Sequence, residues 1–295
     1  MVAFDARDPG TDAAVWAASE RPAALPALDP TGFAGVVVLA AHADDETLGA
    51  GGLLARAARA GVPVTLVVAS DGAAAHGGTD DRAPGDRGAD DGPGDLAAVR
   101  AAEAREAARR LGVRRVVQLD HPDGGLREAR DLLAADLAAL LRELVPGRTD
   151  DGPAERRATA DGAPPHHLVL STWRGDGHRD HRVLGEVAAE VVAAHRAALR
   201  AAGAPEVTTL AGYPVWAWHW GDPAHPDVPW DVMRRVDLDG ADRAARREAL
   251  TAYPSQTTGE GGRPPVLHER FLAHADRPWD LVVVEPGATG GTGAD

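Results

Sequence analysis

The chain of 295 residues contains no cysteine, lysine, asparagine or isoleucine. Without cysteine, neither a disulfide framework nor a thiolate-held zinc can form, so any metal must be bound by His, Asp or Glu. Without lysine, no Schiff base or amine general base is available, and all 31 basic residues are arginine. Without asparagine there is no N-glycosylation acceptor. These absences fit a GC-biased genome. Positive charge is in deficit too: the net charge of -14 opposes binding to a nucleic-acid backbone, which needs a basic surface. No apolar run approaches the ~20 residues that span a bilayer. Residues 1–32 are acidic, contain proline and lack an apolar h-region, so they do not read as a signal peptide. A cytoplasmic enzyme with no nucleic-acid or membrane partner is expected, and a homo-oligomer is compatible with the sequence.

Hydrophobic residues make up 44% of the chain, enough for a globular core. Strand and helix patterns alternate. Residues 36–41, 64–70, 115–119 and 168–171 read as strands, and 46–60, 96–111, 127–145 and 178–202 as helices. This order predicts an α/β, Rossmann-like fold with a mainly parallel sheet and helices on both faces. After Pro205 the pattern changes. Residues 207–220, 232–238 and 281–284 read as extra strands of the C-terminal part, and 241–251 as a helix. The expected layout is an N-terminal arm over 1–32, one domain over 33–285 and a flexible tail over 286–295. Two Gly-, Asp- and Pro-rich segments, 76–94 and 146–166, interrupt the core. The first leaves the carboxyl edge of the sheet and is expected to form a mobile rim of the site; the second reads as an insertion.

Polar residues gather at two strand ends. The first apolar strand runs into A-H-A-D-D-E-T-L-G-A-G at residues 41–51, where open α/β sheets place their ligand sites. His42 and Asp45 are three apart, so one turn can aim both at one ion, leaving Asp44 free to handle protons. The second cluster, G-D-G-H-R-D-H at 175–181, follows the fourth strand and opens a helix, with His178 and His181 three apart. Two histidines and a carboxylate around zinc leave a position for water and lower its pKa to roughly 7. A spare carboxylate can then take the proton while a polar donor steadies the oxyanion.

The sequence resembles the PIG-L/LmbE-like family of zinc-dependent N-acetylglucosaminyl deacetylases. The family's A-H-P-D-D-E and H-x-D-H read here as A-H-A-D-D-E and H-R-D-H, and the likeness continues through V-R-A-A-E at 99–103, L-D-H-P-D-G-G-L at 119–126 and Ser255–Gln256. The resemblance implies that His42, Asp45 and His181 hold Zn2+, or another divalent metal such as Fe2+. It implies Asp44 as general base, His178 as oxyanion donor and Asp180 as the carboxylate that orients it. It implies substrate contacts by Arg100, Asp123 and Gln256. The activity implied is removal of an acetyl group from an N-acetylated amino sugar or its conjugate by zinc-bound hydroxide. Ala43 replaces the family's usual proline and can adopt the same φ. Asp176 stands where some thiol-pathway members have tyrosine, which argues against that branch.

Other features are weaker pointers. Trp216, Trp218 and Trp220 alternate, as on one face of a strand, for packing or for stacking on a sugar. Gly49, Gly51 and Gly52 are reminiscent of a phosphate loop, but the full G-x-G-x-x-G is missing and carboxylates at its mouth repel phosphate. His219, His225, His268 and His274 lack ligand spacing. The competing readings are an amidase on another small-molecule amide, an Fe(II) facial-triad oxygenase and a non-catalytic sugar-binding protein. Asp44 beside the ligands argues against the last two.

Overall fold

Strand β1 (Gly35–Ala40) is buried at every position, as only a strand covered on both faces can be. In this computed structural model, which describes residues 4–74, 93–145, 165–204, 208–259 and 264–285, it lies inside a seven-stranded sheet. The elements run α1 (Ala13–Ala17), α2 (Arg21–Ala24), β1, α3 (Asp45–Arg59), β2 (Val64–Ser70), α4 (Pro93–Arg110), β3 (Arg115–His121), α5 (Arg130–Leu144), β4 (His167–Thr172) and α6 (Arg179–Ala201). They continue as β5 (Thr208–Tyr213), α7 (Ala217–Trp220), β6 (Met233–Asp237), α8 (Gly240–Leu250), α9 (Pro254–Thr257), α10 (Glu269–Leu272) and β7 (Trp279–Val284). The sheet order is β3-β2-β1-β4-β5-β7-β6. The first five strands are parallel; β7 is antiparallel to β5 and to β6.

Alternation along the central strands divides the core. Val36, Val38, Leu66 and Leu168 pack with Leu53, Leu54, Ala104 and Ala249, which puts α3, α4 and α8 on one face. Val37, Leu39, Val67 and Val169 pack with Leu133, Leu137, Val187 and Val191 of α5 and α6 on the other. The chain winds outward from β1 to β3, then returns to place β4 on the opposite side of β1. A crevice therefore opens at the carboxyl ends of β1 and β4, the switch point where such sheets bind ligands.

Gly49, Gly51 and Gly52 of α3 serve this packing, and a Cβ on Gly51 would lie 3.1 Å from Arg246 of α8. A Cβ on Gly49 would lie 2.3 Å from the Tyr213 ring, and one on Gly52 would lie 2.3 Å from Leu238. They sit inside the helix against β5 and α8, not in a loop ahead of it.

One expected strand is shorter than its pattern. Residues 207–220 do not run extended throughout: β5 stops at Tyr213 and α7 follows. Pro214 has no N–H to continue the ladder. The Asp176 carboxylate takes the N–H groups of Val215, Trp216 and Ala217 at 2.8–2.9 Å and turns the chain. The three tryptophans accordingly do not form one wall. Trp218 meets Trp16 edge-on at 4.9 Å, Trp216 meets Phe271 at 4.7 Å, and Trp220 stacks on Trp173 at 6.5 Å.

The N-terminal segment packs on this C-terminal part. Trp16 donates its indole N–H to Trp218 O at 3.0 Å. Residues 26–28 run parallel to β6, with Leu28 N donating to Arg235 O at 2.8 Å and Arg235 N to Pro26 O at 3.0 Å. The rim expected over 76–94, the insertion over 146–166 and the tail over 286–295 fall almost wholly outside the described residues. Among the described residues, no helix is long and apolar enough to cross a membrane.

Candidate metal centre at the sheet switch point

Both polar clusters arrive where strands end and helices begin. After β1 the chain turns through His42 and Ala43 to Asp44, the N-cap of α3, whose φ is 121° and ψ -29°. A residue with a side chain enters such a conformation at a cost of ~1–3 kcal/mol, and such strain gathers at functional sites. Asp45 opens α3 and its Oδ2 accepts from His42 N at 2.8 Å. After β4, Gly177 takes φ 89° and His178 caps α6, with its Nδ1 accepting from Asp180 N at 3.3 Å. Asp180 and His181 occupy the first turn of α6.

Asp45 links the two clusters. Its Oδ2 lies 3.4 Å from His42 Nδ1 and its Oδ1 3.2 Å from His181 Nε2. The second nitrogen of each imidazole is held by carboxylates. His181 Nδ1 is 2.7 Å from Asp176 Oδ2, and His42 Nε2 is 3.3 Å from both Asp123 Oδ1 and Asp180 Oδ2. His178 stands beside them, its ring 4.9 Å from that of His42 and 4.7 Å from that of His181. Potential ligand atoms of His42, His178 and His181 lie within 4.8 Å of one another, as do those of His42, Asp123 and Asp180.

The cluster is built around positive charge. Burial opposes the charged form of His181, but the Asp45 and Asp176 carboxylates outweigh it and raise the imidazole to about 9. Burial likewise opposes His42⁺, and Asp123, Asp180 and Asp45 carry it well above its usual range. Burial would raise Asp45, but the His181 and His42 rings hold it well below the ordinary carboxylate range. Asp44 goes the other way: burial pushes it up to about 7, against the pull of Arg100.

The residues fit a divalent metal. His181 Nε2 and Asp180 Oδ1 are buried without a hydrogen-bond partner. The surrounding donors are imidazole nitrogens and carboxylate oxygens, the set zinc prefers, with the histidines oriented by outer carboxylates.

Asp180 meets His178 through its backbone and His42 through its side chain. The Asp180 carboxylate contacts His42, and it accepts from Gly124 N at 2.9 Å; the ring of His178 is met by the Asp180 backbone N–H instead. His178 is the N-cap and accepts this N–H from the first turn of α6, which leaves the Asp180 carboxylate to face His42 and Gly124. Burial, followed by the nearby His181 and His42, holds His178 well below the usual imidazole range. A neutral ring accepting at Nδ1 carries its proton on Nε2.

The expected substrate contacts divide. Arg100 is buried, donating to Ala43 O and lying 3.4 Å from Asp44 Oδ2. Asp123 joins the cluster: its Oδ2 accepts from Ala74 N at 3.0 Å while Oδ1 faces His42. Gln256 is buried and donates to Ser255 Oγ at 3.0 Å. Ser255 in turn donates its N–H and its hydroxyl to Glu103 at 2.9 and 2.6 Å. The two weak likenesses V-R-A-A-E and Ser-Gln are thus halves of one clamp between α4 and α9. Sequence reading gave no role to Asp176 as a partner of His181, or to the hydrogen bond at 2.6 Å from Tyr253 Oη to Glu46. Asp176 lies two residues before His178, so its charge in that cluster was the available signal. No pattern links Tyr253 to residue 46.

The chain is a switch-point α/β protein with a candidate His/Asp metal site. Residues 37–192, more than half of the chain, match the family model of PIG-L, GlcNAc-PI de-N-acetylase, and the chain belongs to this family of deacetylating hydrolases. Its structure is similar to that of N,N'-diacetylchitobiose deacetylase from Pyrococcus horikoshii (TM-score 0.53, 21% identity, 88% of this chain and 86% of that one). It is similar to a triple mutant of a deacetylase involved in the teicoplanin biosynthetic pathway (TM-score 0.54, 17% identity, 86% and 99%). It is also similar to GalB, the 4-carboxy-2-hydroxymuconate hydratase of Pseudomonas putida (TM-score 0.51, 18% identity, 88% and 100%). These likenesses show a shared fold, and the hydratase shows that the fold serves more than one reaction. No curated protein sequence matches the chain significantly.

Proposed function

We propose that the protein hydrolyses the acetamide of an N-acetylated amino sugar or its conjugate, using one divalent metal, zinc by its donor set, held by His42, Asp45 and His181. One observation carries this reading: Asp45 faces one nitrogen of each histidine while outer carboxylates hold the other nitrogens. The chitobiose and teicoplanin-pathway relatives, deacetylases by name, support the substrate class.

When bound, the metal supplies the positive charge that acidifies water to near neutrality and polarises the amide carbonyl. Asp44, next to Asp45 and raised by burial to about 7, takes a proton from the attacking water. The water oxygen bonds to the carbonyl carbon. His178 offers its Nε2–H to the resulting oxyanion, as a neutral donor fixed by the Asp180 backbone N–H. Asp44 then returns the proton to the amide nitrogen as the C–N bond breaks, leaving the amine and acetic acid, whose proton passes to solvent or to the amine to give acetate.

The test is acetate release from a panel of N-acetylglucosamine conjugates, read as mass loss on the sugar. We expect activity with zinc, loss on chelation and recovery on adding zinc back. A zinc-loaded protein that releases no acetate from any conjugate overturns the reading. Turnover dependent on O₂ points instead to an oxygenase.

A further inference from the structure

Two buried side chains grip opposite ends of one peptide unit, that joining Ala43 to Asp44. Arg100 donates to its carbonyl, Ala43 O. The Glu46 carboxylate accepts from its N–H, Asp44 N, at 3.3 Å through Oε2. Fixing both ends of a peptide fixes the plane of its amide, one of the two planes that together set φ of the residue that follows; the first turn of α3 supplies the other. That residue is Asp44, at φ 121°.

The Glu46 arm continues into the fold. Its Oε1 accepts from Tyr253 Oη and from Thr47 Oγ1, each at 2.6 Å. Glu46 and Tyr253 are both 0% exposed. Glu46 has no ion-pair partner among the described residues, so only neutral donors offset the cost of burying it. A neutral amide in its place offers one acceptor oxygen, so it can accept from Asp44 N only by turning its NH2 toward Tyr253 Oη and reversing that hydrogen bond. Tyr253 is held by its position between α8 and α9, where Gln256 N and Thr257 N donate to its carbonyl at 3.0 and 3.1 Å. The Glu103–Ser255 clamp ties α9 to α4, the helix that carries Arg100. Both grips on the peptide thus trace back to the same α4–α9 unit.

We propose that Glu46 and Tyr253 are positioning residues for the Asp44 carboxylate, and that with Arg100 they form a clamp on the Ala43–Asp44 peptide. The proposal rests on the reading of Asp44 as general base. It gives Arg100 a place in the base's support, and it makes a residue more than two hundred positions away from Asp44 part of the catalytic geometry.

The experiment compares Tyr253→Phe, Glu46→Gln and the double variant, each loaded with zinc, on one N-acetylglucosamine conjugate. Metal content and thermal midpoint are measured alongside. Tyr253→Phe keeps the ring and removes a single oxygen; Glu46→Gln keeps the volume, so it carries the same readouts should Tyr253→Phe not fold. We expect kcat to fall about 10- to 10²-fold in each, the scale of a misplaced catalytic group, with KM within about twofold and one metal per chain. The double variant should lose no more than the worse single variant, because both changes break one path. Wild-type kcat in folded, metal-loaded single variants overturns the proposal, as does a change confined to KM or a loss of metal. Asp44→Asn separates the two claims. If it is fully active, the reading of Asp44 as base fails, and the positioning role with it. If it is inactive while Tyr253→Phe turns over like the wild type, only the positioning role fails.

Discussion

His181 Nδ1 lies 2.7 Å from Asp176 Oδ2, and this contact turns Nε2 of the same ring toward Asp45. Asp176 is fully buried and also accepts three backbone N–H groups at the end of β5. Asp176→Asn should therefore weaken zinc binding by ~10–100-fold, the usual effect of removing such an outer partner. Competition with a chromogenic chelator measures this. Unchanged affinity would show that His181 is oriented by other means.

Asp44→Asn should keep its metal and lose ~10²–10⁴-fold in kcat, the typical size of general-base removal. Asp45→Asn should lose metal affinity first, since Asp45 faces both His42 and His181. Metal analysis alongside single-turnover rates separates the two variants. An Asp44→Asn enzyme near full activity would move the base elsewhere.

His178→Ala should lower kcat by ~10²–10³, as for one oxyanion donor, with metal content unchanged. Because burial keeps His178 neutral, its removal should leave the shape of the alkaline side of the pH–rate profile as it was. A variant that loses its metal would place His178 among the ligands.

Metal binding should be pH-dependent with a definite sign. A ligand imidazole must be neutral, and His181 is raised from 6.5 to about 9 by Asp45 and Asp176 against burial. Below about 9 the metal must displace a proton, so zinc affinity should rise about tenfold per pH unit toward that value for this one proton. The same shift stabilises the metal-free protein. Its contribution is full below about 6.5 and is lost as pH rises through about 9. Zinc titrations in weak buffer should release at least one proton per ion near pH 7. Affinity that is flat between pH 6 and 8 would contradict this account.

The parts of the fold legible in the sequence are those set by local pattern. Residues 36–40 are all apolar because β1 is buried on both faces, and His42 to Glu46 stand out because charge follows such a run. Gly112 follows the end of α4 with φ 78°, as its place after a helical pattern suggests. The alternating tryptophans after residue 215 have the period of a strand, yet a carboxylate 40 residues upstream turns that chain. The grip of Tyr253 on Glu46 spans 207 residues, and no local rule reaches that far. The family resemblance pairs His178 with Asp180, but a motif does not say whether backbone or carboxylate makes the contact.

The segment at 26–28 that lies along β6 has a meaning for how the protein meets other molecules. A sheet grows by adding backbone to an unpaired outer strand, the route to strand exchange and aggregation. Here the chain's own residues lie against that outer strand, where Arg235 pairs with both Pro26 and Leu28. Among the described residues this leaves β3 as the uncovered margin, with Arg115 exposed at its start and Asp120 exposed near its end. A strand added at β3 would meet these charges, whereas at β6 the backbone edge beside Arg235 is already taken by residues 26–28.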